Sequence, residues 1–210
     1  MQNLPTGLTH LDIALPNIRY EAKYATEDNF TGIIVDGYNA DRVVISQAMI
    51  EPLETAAELA SNQGYFLFVW DAVRPQRAVD AFIVWLDSPE NGKTKPVFYP
   101  NLSKKKLTKG YIAKRSGHSR GCAIDLTLID ERGQFLDMGS DFDLMDPRSH
   151  HGAAGLTAEQ TANRKALKKI MEQAGFTAYE KEWWHYILRP EPFPDTYFDF
   201  SIEYDAPDPE

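Results

Sequence analysis

The chain has 210 residues, 43% hydrophobic and 12% aromatic, which is enough apolar surface for one sizeable core and short for two, so a single domain over 1–210 is expected. Its 31 acidic against 22 basic residues give a formal charge of -9, leaving no positive excess to neutralise a phosphate backbone and excluding nucleic acid as a partner. No apolar run approaches the roughly 20 residues of a membrane span, the N-terminus MQNLPTGLTHLDIALPNIRY lacks the pattern of a signal peptide, and Cys122 is the single cysteine, so no internal disulfide can form; no membrane partner and a cytoplasmic location are expected.

Ile18 to Tyr24 reads as a short strand, followed by an irregular segment from Asp28 to Tyr38 in which Gly32 and Gly37 punctuate a loop. Pro52 suits a first helical position, Leu53, Ala56, Ala57 and Ala60 share one helical face, and Gly64 offers a stop. Tyr65 to Trp70 is a compact apolar run that reads as a buried strand. After Arg74-Pro75, residues Ala78, Phe82, Trp85 and Leu86 form the apolar face of a second helix ending near Ser88-Pro89. The stretch on to Gly110 reads as a long surface excursion of the kind that frames a site, with the basic run Lys104-Lys105-Lys106 on a solvated loop.

Ala123 to Ile129 alternates as a strand, with Glu131-Arg132-Gly133 as the turn after it. Thr157 and Gln160 have capping-box spacing at the head of a helix whose apolar face is Ala166, Leu167, Ile170, Met171 and Ala174, and Gly175 stops it. Trp183 to Leu188 is a final strand, and the acidic tail after Asp205 reads as poorly ordered. Helices and strands do not alternate regularly, which predicts an α+β fold, a mostly antiparallel sheet with helices packed on it.

The candidate chemistry starts at SGHSRGCAIDLTL, where Asp125 interrupts an apolar strand. On one straight strand His118 and Asp125 would lie roughly 23 Å apart, at about 3.3 Å per residue. A turn at Ser119-Arg120-Gly121, with Gly121 free to take positive φ, would fold the imidazole back beside Asp125 and offer two metal ligands from one local unit. A catalytic zinc needs three protein ligands and an open position. His10 sits near a poorly structured end, and His150 and His151 lie in a polar stretch with no strand to hold them. His185 stands inside WWHYIL with Glu182 three residues upstream, a carboxylate suited to move the proton of an attacking water. Strand alternation would put Glu182 and His185 on opposite faces, so Glu182 is required to lie in the turn entering the strand. Arg74, at a strand end and held by Asp71, supplies the fixed cation that a tetrahedral oxyanion needs.

S-x-H-x-x-G-x-A-x-D, here Ser116, His118, Gly121, Ala123 and Asp125, with E-x-W-H as Glu182, Trp184 and His185, resembles the zinc D-alanyl-D-alanine dipeptidases of the VanX type. DNFTG from Asp28 to Gly32, VDGY from Val35 to Tyr38, Arg74-Pro75, MGS from Met138 to Ser140, RSHH from Arg148 to His151 and EWWHY from Glu182 to Tyr186 are similar to that family in the same order. The resemblance implies one Zn2+ per chain held by His118, Asp125 and His185, Glu182 as general base and then acid, and Arg74 on the oxyanion. It implies a free dipeptide as substrate and partner, with Ser116 and Asp143 at its ammonium and Tyr24 and Tyr38 lining the pocket. Such chemistry serves glycopeptide resistance or the recovery of D-alanine. Two alternatives stand beside it: a carboxypeptidase or endopeptidase acting on a longer cell-wall peptide, and an inactive zinc-containing binding module, against which the presence of both Glu182 and Arg74 counts. The chain departs from the resemblance at Ala72-Val73, where the family usually has Gly-Tyr, and at Cys122, which reads as a buried thiol.

Overall fold

A computed structural model describes residues 4–204 of the chain; the acidic tail singled out above lies outside them. In chain order the elements are β1 (Leu8–His10), α1 (Leu11–Ala14), β2 (Arg19–Tyr20), β3 (Val44–Ser46), α2 (Ile50–Ser61), β4 (Phe66–Asp71), α3 (Gln76–Asp87), α4 (Lys95–Phe98), α5 (Lys104–Leu107), β5 (Ala123–Ile129), α6 (Ala158–Gln173), β6 (Phe176–Ala178) and β7 (His185–Leu188). Five strands form one sheet in the order β2-β4-β5-β7-β6. Only β2 and β4 are parallel; the other pairings are antiparallel. The expected α+β architecture with a mostly antiparallel sheet is therefore the observed one. No helix among the described residues is long and apolar enough to cross a membrane.

The central strand β5 is buried along its whole length, which explains a run with so little polar relief. Ile124, Leu126 and Leu128 project to one face and join a core with Leu53, Ala56 and Ala60 of α2 and Leu167, Ile170 and Met171 of α6. Asp125 and Thr127 project to the other face. Helix α6 opens with the expected capping box, Thr157 Oγ1 accepting from Gln160 N and the Gln160 side chain accepting from Thr157 N. Helix α2 begins two residues before Pro52, whose missing N–H falls among the first-turn donors that have no intrahelical partner.

Four local expectations give way to tertiary contacts. The strand read over Ile18–Tyr24 is only Arg19–Tyr20, because the chain leaves the sheet at Ala22, whose N–H donates to Asp41 Oδ1 at 2.7 Å. His10 is not at a loose end: it is buried at the end of β1, which pairs with β3. The excursion after Ser88 contains α4 and α5, and Lys104 is 3% exposed rather than solvated. Its ammonium donates to Trp85 O, Ser88 Oγ and Pro89 O at 2.9, 2.8 and 3.0 Å and lies 3.9 Å from the Trp85 ring centre. It thereby satisfies carbonyls at the open C-terminal end of α3. Trp183 and Trp184 are buried in the turn before β7 rather than within the strand.

Candidate active site

Strand pairing assembles the site. Asp125 on β5 stands opposite His185 on β7 and opposite Asp71 on β4, and residues directly opposite in a ladder project from the same face with Cβ atoms about 5 Å apart. The alignment with β4 depends on an irregularity between Val69 and Asp71: Val69 pairs with Leu126, but Asp71, not Trp70, pairs with Asp125. This β-bulge moves an aspartate onto the face where regular pleating would have put a tryptophan.

His118 arrives from the other direction. Residues His118–Arg120 form a 3-10 turn closed by Gly121 at φ 63°, a left-handed conformation that suits glycine. The turn brings the imidazole back over the start of β5, as the sequence required. His118 Nδ1 lies 2.7 Å from Ala72 O. A carbonyl oxygen only accepts, so Nδ1 carries the proton and Nε2 presents its lone pair. The side chain at position 72 is not what orients the ring, so alanine here leaves the contact intact.

Nε2 of His118, Nδ1 of His185 and the Asp125 carboxylate converge. The two ring nitrogens are 3.2 Å apart, His185 Nδ1 is 2.9 Å from Asp125 Oδ1, and His118 Nε2 is 3.3 Å from Asp125 Oδ2. Ligand atoms about 2.0–2.2 Å from a tetrahedral zinc stand roughly 3.4 Å from one another, so these residues fit such an ion without rearrangement. Among the described residues this trio is the cluster of metal-ligating type. Cys122 is not part of it: its thiol is buried against Gly117 O at 3.2 Å, and burial, then Glu191, pushes its pKa up to about 11.

Glu182 lies in the turn before β7, as alternation demanded, with Oε2 3.7 Å from His185 Nδ1. Burial, and then the carboxylates of Asp125 and Asp143, raise its pKa well above the ordinary value. Burial acts on Asp125 too, but His118 and His185 outweigh it and hold that carboxyl below the usual range. Burial lowers the pKa of His185 despite its bond to Asp125, which favours the neutral, ligating imidazole.

Arg74 is held from several sides. Its Nε donates to Asp71 Oδ2 at 2.9 Å, its Nη2 to Asp125 Oδ2 at 3.4 Å, and its guanidinium sits 4.9 and 5.2 Å from the Tyr24 and Phe82 ring centres. Asp71 also accepts from Tyr38 at 2.6 Å. Tyr38 thus stands behind Asp71 and is absent from the cavity wall, whereas Tyr24 lines the cavity and donates to Asp143 Oδ2 at 2.9 Å. Asp143 has φ 61°, a conformation rare outside glycine, and burial, then Asp125, raises its pKa to about 7. Ser116 Oγ accepts from His118 N at 3.2 Å and also lines the cavity.

These groups line a cavity of about 310 Å³. Its wall also contains Phe82, Tyr111, Arg115 and Tyr179, which sequence reading had not singled out. Phe82 carried a helical-face signal that speaks only of core, and the others sit in loops with no local pattern. Tyr179 donates to Gly110 O at 2.8 Å, and Lys181 to Lys109 O at 3.0 Å, so the segment carrying Glu182 is laced to the opposite wall. Gly110, at φ 109°, leaves no room there: an added Cβ would run into the Lys181 side chain.

A cavity holding Asp125, Asp143 and Glu182, backed by Asp71, with Arg74 as its one buried guanidinium beside them, is suited at its inner end to cations, a metal and a positively charged substrate group. The chain matches the Peptidase M15 family, D-Ala-D-Ala dipeptidase, over residues 5–203, and it belongs to that family. It is 51% identical to a D-alanyl-D-alanine dipeptidase of Enterococcus faecium over 94% of this chain and 98% of that protein. To the D-alanyl-D-alanine dipeptidase of Streptomyces coelicolor it is 50% identical over 91% and 96%, and to that of Escherichia coli 36% identical over 87% and 85%.

Proposed function

We propose that the protein hydrolyses the free dipeptide D-alanyl-D-alanine to two D-alanines in a zinc-dependent reaction. The observation that carries this reading is the convergence of His118 Nε2, His185 Nδ1 and the Asp125 carboxylate, with Glu182 beside them at 3.7 Å from His185. His118, Asp125 and His185 would hold the ion, which when bound supplies a Lewis acid that activates water and polarises the scissile carbonyl.

The rest of the chemistry belongs to the chain. Glu182 accepts the proton of the attacking water and passes it to the leaving amine; burial beside Asp125 and Asp143, which raises its pKa, makes it a stronger proton acceptor than a solvated carboxylate. Arg74, fixed by Asp71 before substrate arrives, stabilises the negative charge that develops on the carbonyl oxygen. Asp143, oriented by Tyr24, and Ser116 receive the substrate ammonium. A cavity of about 310 Å³ lies at the small end of ligand pockets, which favours a dipeptide over a longer cell-wall peptide.

The test is D-alanine release from D-alanyl-D-alanine by the purified, zinc-replete protein, with a chelated sample and the N-acetylated dipeptide alongside. Release that needs zinc and a free amine is the expected result. No release with zinc shown to be bound would favour the longer-peptide reading or the inactive module.

A further inference from the structure

A free dipeptide carries two opposite charges, and the buried carboxylates answer only its ammonium. Apart from histidines, the basic residues lining the cavity are Arg74 and Arg115. Arg74 is committed to Asp71 and Asp125. Arg115 is exposed and has no carboxylate partner among the described residues; its contact is with the face of Tyr197, 4.3 Å from guanidinium carbon to ring centre. Tyr197 is itself fixed, its hydroxyl accepting from Arg120 Nη1 at 3.1 Å while Arg120 Nε donates to Glu191 at 2.6 Å. Lys181 is engaged with Lys109 O and Lys104 lies beneath α3, and neither lines the cavity.

Arg115 stands three residues before His118, so its Cα lies within roughly 11 Å of that of the ligand residue. An arginine side chain and an extended dipeptide together span such a distance. We propose that Arg115 receives the terminal carboxylate of the substrate at the cavity mouth and so selects for a free C-terminus, an inference that rests on the dipeptidase reading. A guanidinium stacked on an aromatic ring keeps its N–H edge free for a two-pronged bond to a carboxylate. Because the site is exposed, the effect is modest, on the order of tenfold.

The experiment measures kcat and KM for D-alanyl-D-alanine and for its neutral counterpart, D-alanyl-D-alaninamide, in the wild type, Arg115→Gln and Arg115→Lys. The wild type should prefer the acid by about tenfold or more in kcat/KM. Arg115→Gln should remove most of that preference through a raised KM for the acid, and Arg115→Lys should retain part of it. A preference unchanged in Arg115→Gln, or an equal loss on both substrates, as a merely structural role would give, overturns the proposal and leaves the dipeptidase reading standing. A wild type that hydrolyses neither compound while zinc is bound overturns both.

Discussion

Glu182 Oε2 stands 3.7 Å from His185 Nδ1, next to the three converging ligand atoms and outside their cluster. In the proposed reaction it moves a proton and does not bind the ion. Glu182→Ala should therefore keep about one zinc per chain while kcat falls roughly a hundredfold or more. Parallel metal analysis and steady-state kinetics check this, and loss of zinc together with activity would make Glu182 a ligand.

Removing a ligand has the opposite signature. His118→Ala or His185→Ala should lower zinc occupancy itself, because two remaining ligands do not hold the ion as three do. Elemental analysis after dialysis against a weak chelator is the measurement, and full metal retention in either variant would contradict the assigned set.

Arg74→Ala should cost about a hundredfold in kcat with zinc retained, since the guanidinium is pre-positioned for charge that appears only in the transition state. Asp71→Asn should show a smaller loss in the same parameter, because it loosens Arg74 without removing the charge. An effect confined to KM in both variants would assign Arg74 to ground-state binding.

The pH dependence of the metal-free fold follows from Asp143. Its pKa rises from the ordinary carboxylate value to about 7 in the folded chain, so across that window the folded state holds a proton that the unfolded state has released. The stability that Asp143 contributes is then lost as pH rises from about 4 to about 7, and Glu182, also raised, acts in the same direction. Asp125, with its depressed pKa, contributes stability that is lost only as pH falls below the ordinary carboxylate value. Burial depresses His185, and His151 to about 4, which opposes this fall, so the assignment is read from a difference: the slope of urea midpoint against pH in the chelated protein should be more negative than in Asp143→Asn, and an equal slope would contradict it.

Lys104→Met should destabilise the protein by about 1 kcal/mol, because it removes the ammonium that joins Trp85 O, Ser88 Oγ and Pro89 O and lies over the Trp85 ring, while Trp85 O keeps the Ser88 N–H and hydroxyl as donors. Denaturant unfolding measures it. A neutral result would mean that water replaces the ammonium there.

How far these relationships could be read in advance depended on their range along the chain. The β5 strand, the capping box at Thr157 and Gln160, and the Gly121 turn are set by residues within a few positions, and all three were legible. Placing Glu182 in a turn followed from side-chain alternation alone. The burial of Lys104 depends on the end of α3, some 15–19 residues earlier in the chain, and a basic run carries no mark of a distant carbonyl. The shortening of the strand at Ile18–Tyr24 depends on Asp41 in the same way. The family resemblance implies Tyr38 at the pocket wall, and only the packing of Asp71 between Tyr38 and Arg74 puts it one layer back.

The bulge between Val69 and Asp71 makes the chemistry of β4 a matter of counting. Were the ladder to run on in step at its present length, Trp70 would stand opposite Asp125 and the carboxylate under the guanidinium would turn away from it. A one-residue slip of register here would be more damaging than most substitutions, for it would change which side chain answers Asp125 without altering a single functional residue. Length, in this strand, is as much a part of the active site as the residues themselves.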